Sequence, residues 1–96
     1  MQPYTFYQRV ENLYKSYFSA HEDVAIDIQD TAIKIYIIDE MNLDSASLEL
    51  KIDGSSHVIT FWDGYSQSEI IEAISENDAS KNLKRFMKKL VKIINR

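Results

Sequence analysis

The sequence predicts an α+β fold with an N-terminal helix, a four-stranded antiparallel meander and two C-terminal helices packed on one sheet face. Two patterns carry that prediction. Between Val24 and Phe61 aliphatic residues alternate with polar ones at period two, the rhythm of strands with one buried face. On either side, Phe6 to Phe18 and Leu83 to Ile94 place their apolar residues at three- and four-residue steps, the rhythm of amphipathic helices.

The chain has 96 residues, enough for one domain over residues 1–96 and too few for a second core. Its 45% hydrophobic and 27% charged residues, with two glycines and one proline, are those of an ordered globular protein. The absence of cysteine excludes disulfides, thiolate metal sites and cysteine nucleophiles, so packing alone must hold the fold. The first residues lack the basic and apolar regions of a secretion signal, and no uninterrupted apolar run exceeds four residues. No transmembrane segment is expected, and the expected location is cytoplasmic.

The first helix is expected from about Thr5 to about Ser19. Phe6, Val10, Leu13, Tyr14, Tyr17 and Phe18 lie on one side, and Thr5 with Gln8 forms a capping box. With Tyr4 just before it, six aromatics crowd this segment. They are expected to pack inward, although Tyr7, Tyr14 and Phe18, at one edge of the apolar arc, also suit a partner interface.

Two strands follow. Val24, Ile26 and Ile28 alternate in the first, and Ala32 to Asp39 is the most β-branched run of the chain. A turn at Asp30-Thr31 sets Ile28 opposite Ile33, Ile26 opposite Ile35 and Val24 opposite Ile37, with Asp27 opposite Lys34 on the other face. Leu48, Leu50 and Ile52 mark a third strand, Asp53-Gly54 a turn, and His57 to Trp62 a fourth strand whose Ile59 and Phe61 join the leucine face. Ser66 with Glu69 then reads as a second capping box before a short helix carrying Ile70, Ile71 and Ile74. A last helix, capped by Asp78 or Ser80, buries Leu83, Phe86, Met87, Leu90, Val91 and Ile94 opposite a row of lysines and arginines.

Charge is the unusual global feature. All fifteen acidic residues lie at or before Asp78, so residues 1–80 sum to −11 and the last sixteen to +7. The plainest reading is a solvated, basic outer helix face. In a second reading Lys84, Arg85, Lys88, Lys89 and Lys92 meet nucleic acid or an anionic membrane. In a third, the acidic body is the working surface, with Asp39, Glu40, Asp44, Trp62, Asp63 and Tyr65 forming an acidic and aromatic patch that receives a basic protein.

No site chemistry emerges. His21 and His57 lack ligand partners at helical spacing, adjacent carboxylates such as Asp39-Glu40 point to opposite sides of a strand, and there is no phosphate loop, serine elbow or calcium loop. Neither enzymatic activity nor a cofactor or metal is expected. In size, charge and element order the chain resembles the small acidic inhibitors that phages and mobile elements encode against host defence, and the immunity proteins that neutralise toxins. That resemblance implies a protein-binding module occluding a basic partner such as a nuclease or nucleic-acid-binding protein. The alternatives are the basic helix as a nucleic-acid or membrane contact, and a chaperone-like or homodimeric structural protein.

Overall fold

The structure is a computed structural model and describes residues 5–38, 45–54 and 56–95. Helix α1, Phe6–Phe18, is followed by strands β1 (Val24–Ile28), β2 (Ala32–Ile37), β3 (Ser47–Asp53), β4 (Ser56–Trp62) and β5 (Ser68–Ala73), then by helix α2, Glu76–Ile94. The strands form one antiparallel sheet in meander order β1-β2-β3-β4-β5.

Helix α1 begins as its sequence dictates: Thr5 accepts from the Gln8 backbone N–H and the Gln8 side chain accepts from the Thr5 N–H. The β1–β2 register also follows the side-chain pattern, with Val24 opposite Ile37, Ile26 opposite Ile35, Ile28 opposite Ile33, and Asp27 opposite Lys34. Leu48 pairs with Phe61 and Leu50 with Ile59. The inner face therefore carries continuous apolar rows, and on it Ile33, Ile35, Leu48, Leu50, Ile59 and Phe61 are buried.

Two expectations are corrected. The segment read as a short helix around Ile70 is the edge strand β5, in register with β4 from Trp62–Ser68 to His57–Ala73. The period-two demand of the sheet wins over the Ser66–Glu69 signal, because as a strand the segment adds Ile71 and Ala73 to the buried face beside Ile59 and His57. Ile71 and Ala73 turn inward while Ile70 turns outward. The expected pair of C-terminal helices is accordingly one helix of 19 residues. Ser75, not Asp78 or Ser80, caps it by accepting from the Asp78 N–H, and Glu76 and Asp78 lie in the first turn, where the helix dipole favours acids.

Both helices cover the inner face. Phe6, Val10 and Phe18 of α1 and Ala79, Leu83, Phe86, Met87 and Leu90 of α2 join the sheet in one core, and Phe86 stacks on Phe61 with ring centroids 5.3 Å apart. The tyrosine hydroxyls of α1 fix its direction. Tyr7 donates to the Asp30 carbonyl and Tyr14 to the Val24 carbonyl, so α1 runs antiparallel to β1. Burial, and secondarily the proximity of Tyr36, raises the Tyr14 pKa, which keeps its hydroxyl a neutral donor. The Lys89–Glu69 contact likewise sets α2 antiparallel to β5. Since β1 and β5 point the same way in a five-strand meander, the helices are parallel and their N-terminal ends adjoin, bridged by Arg9 Nη1 to Asn77 Oδ1 at 3.2 Å.

Gly64 tests how closely the β4–β5 turn is fitted. Its φ is +81°, and a Cβ there would lie 2.8 Å from the backbone nitrogen of buried Ala46. Gly54 has φ +61° but open space around it. Gly54→Ala should therefore cost only the left-handed strain, about 1 kcal/mol, and Gly64→Ala about 3 kcal/mol, because the clash adds to it. Urea denaturation of both variants checks the difference; equal losses would show that the Ala46 approach does not constrain the turn.

Candidate functional site

The outer sheet face is built from the side chains that the inner rows leave over. Ala25, Tyr36, Ser47, Trp62 and Ser68 form one cross-strand row, and Asp27, Lys34, Glu49, Thr60 and Ile70 form the next. A third runs Ala32, Lys51, Val58 and Glu72. No described helix packs on this face, since α1 and α2 both lie on the other. Tyr36, Val58 and Trp62 are half-buried by their sheet neighbours, whereas Ile38 and Ile70 are 53% and 69% exposed.

The middle row alternates in sign across β1, β2 and β3, and Lys51 pairs with Glu49 at 3.8 Å. Lys34 also stands 5.7 Å from the Tyr36 ring centroid. Two amphipathic rings thus sit beside a self-neutralising charge ladder, an arrangement suited to protein contact.

Of the expected acidic and aromatic patch the structure describes Trp62, Asp63 and Tyr65. Asp39, Glu40 and Asp44 lie outside the described residues. Trp62 is on the outer face, but Asp63 is a turn-former: its Oδ1 accepts from the backbone N–H groups of Tyr65, Ser66 and Gln67. Tyr65, carried by that turn, is 88% exposed. The outer face brings Tyr36 and Val58 alongside Trp62, and period-two parity was the signal that marked them.

The basic surface is divided too. Glu69, at the inner end of β5, holds Lys89 at 2.8 Å and Arg85 at 3.8 Å. The Arg85 guanidinium lies 4.6 Å from the Phe86 ring centroid, and Lys89 stands near both Phe86 and Phe61. These two cations close the edge of the core, leaving Lys84, Lys88 and Lys92 exposed on the helix. The α1 aromatics pack inward as expected, and the alternative of a partner interface at Tyr7, Tyr14 and Phe18 is not supported. Phe18 is buried in the core, and both tyrosine hydroxyls are spent on β1 and its turn.

The molecule's charge is sorted by layer. Residues 20–75, the sheet with its connections, hold twelve acids against two lysines, net −10, while residues 5–19 and 76–96 together carry +6. Among the described residues no cluster of three or more His, Cys, Asp or Glu could hold a metal ion, and no helix is long and apolar enough to cross a membrane.

Glu69 supplies a pH signature. The hydrogen bond from Lys89 holds its carboxyl below the ordinary glutamate value; burial opposes this, and the charges of Lys89 and Arg85 reinforce it. A lowered folded-state pKa stabilises fully above the unfolded value and is lost as pH falls through the folded one. Glu69→Gln should accordingly be less stable than the parent at pH 7, with the gap closing as pH drops below the ordinary glutamate range. Denaturation midpoints across that range check it, and a gap independent of pH would contradict the assignment. No family model, no curated protein and no solved structure matches the chain, so its function rests on the surfaces just described.

Proposed function

We propose that this chain is a non-catalytic protein-binding module whose outer sheet face docks on a basic partner, acting by occlusion. One observation carries the reading: among the described residues both helices cover the same side of the sheet, and the other side carries Tyr36 and Trp62 in the acidic layer of the molecule. Aromatic rings on a rigid strand cost little side-chain entropy to immobilise and supply large contact areas. The net negative charge of residues 20–75 speeds encounter with a positive surface and rejects a negative one. A protein that binds phosphate-bearing polymers presents such a surface, and the acids would stand in for phosphates. This is the mode of an inhibitor or immunity-type protein working in the cytoplasm.

The competing basic-helix reading has less support, because Arg85 and Lys89 are engaged with Glu69 and the core edge. Co-purification from the native cell, with the bound protein identified and its affinity remeasured in pure form, separates the two. Tyr36→Ala and Trp62→Ala should each weaken binding roughly tenfold or more, as hot-spot truncations do. Lys84→Glu with Lys88→Glu should leave it intact. Loss with the helix pair and retention with the aromatic variants would refute the sheet-face reading.

A further inference from the structure

The meander ends in two edge strands, β1 and β5, and a helix caps carbonyls only along the first. There the Tyr14 hydroxyl donates to the Val24 carbonyl, and Tyr7 donates to that of Asp30 just past the strand. At β5 the ladder itself assigns the backbone groups. The Asp63 N–H donates to the Gln67 carbonyl at 3.1 Å, so by antiparallel alternation Glu69, Ile71 and Ala73 bond to β4. The N–H and C=O groups of Ser68, Ile70 and Glu72 therefore point away from the sheet. Among the described residues nothing pairs with them.

The usual guards of such an edge are missing. Strand β5 holds no proline, lysine or bulge, and its central outward residue, Ile70, is 69% exposed. Glu69, an inward charge of the kind that blocks strand addition, is drawn to Lys89 at 2.8 Å and Arg85 at 3.8 Å on its own α2. An edge of alternating donors and acceptors fits another extended strand, and β5 is complementary to itself. Antiparallel pairing about Ile70 sets Ile70 against its copy and Ser68 against Glu72 of the second chain, both ways round, each pair exchanging two backbone hydrogen bonds. Glu69 then falls opposite Ile71, so no like charges meet. Centring on Glu69 or Glu72 would set carboxylates face to face, and centring on Ile71 would need the Ile74 N–H, which already donates to the Asp78 carboxylate at 3.4 Å.

We infer that two copies of this chain join through β5 about a two-fold axis normal to the sheet, making one continuous antiparallel sheet. The axis uses both β5 edges at once, so assembly stops at the dimer. The helices have room. Helix α2 lies over β4, where Phe86 stacks on Phe61, and the two β4 strands would stand three strand spacings apart, about 14 Å, against roughly 8–10 Å for packed helices. Both outer faces stay open side by side, so the dimer is independent of the sheet-face reading.

Sedimentation equilibrium of the full chain from about 1 µM to about 1 mM should show reversible dimerisation, because so short a contact belongs with the small, weak interfaces. Hydrogen exchange at the Ile70 and Glu72 amides should slow as the dimer fills, while that of Ile26, on the edge of β1, should not. Ile70→Lys sets two ammonium groups against each other at the axis and should weaken dimerisation at least tenfold, with the melting temperature of the dilute chain nearly unchanged. Tyr36→Ala, on β2, should leave dimerisation intact. Added salt should strengthen it, because each copy carries the same formal net charge of −4. A chain monomeric throughout, species larger than a dimer, or association that survives Ile70→Lys or is lost in Tyr36→Ala overturns the inference. Association that salt abolishes overturns it equally, assigning instead a stack of one copy's acidic layer on another's basic layer.

Discussion

The structure depends on register: five strands are paired so that most of their large aliphatic side chains fall on one face. Ile28, Ile33, Leu50, Ile59 and Ile71 make one unbroken row across the sheet, and Ile26, Ile35, Leu48 and Phe61 make the next. A slip of one residue in any strand would send its aliphatics to the other side, so the whole apolar face specifies the pairing. Helices then have one surface to bury. The Phe61–Phe86 stack shows the tightness of that contact, and truncating a buried phenylalanine of this kind typically costs about 3–5 kcal/mol.

One-sided cover also explains why charge is sorted by layer. With α2 lying over the sheet, its lysines must occupy the far side or the edge, and the acids remain with the strands and their turns. The far side of a helix lies about 10 Å beyond the surface it packs on, close to the screening length at physiological ionic strength. The two layers therefore meet their surroundings as separate surfaces.

Much of this was legible in the residues. The capping box at Thr5, the turn at Asp30-Thr31 and the pairing of Asp27 with Lys34 followed from local chemistry and period two, because there the local and tertiary demands agree. Beyond Asp63 they do not. Ser66, Glu69 and the three isoleucines satisfy a helix pattern, but the unpaired edge of β4 outweighs it, and the resulting strand extends the outer face by Ile70. The acidic and aromatic surface was legible only by parity: Trp62 is on the outer face as its place in the strand required, whereas Asp63 is consumed by its turn.

Trp62 is the sole tryptophan and sits on the outer face, so its fluorescence reports directly on whether that face is open and acidic. Quenching of the free protein by caesium and by iodide at equal ionic strength should show an accessible indole that caesium quenches more strongly, because the net negative charge of residues 20–75 attracts the cation. An indole inaccessible to both ions, or one quenched preferentially by iodide, would contradict the account.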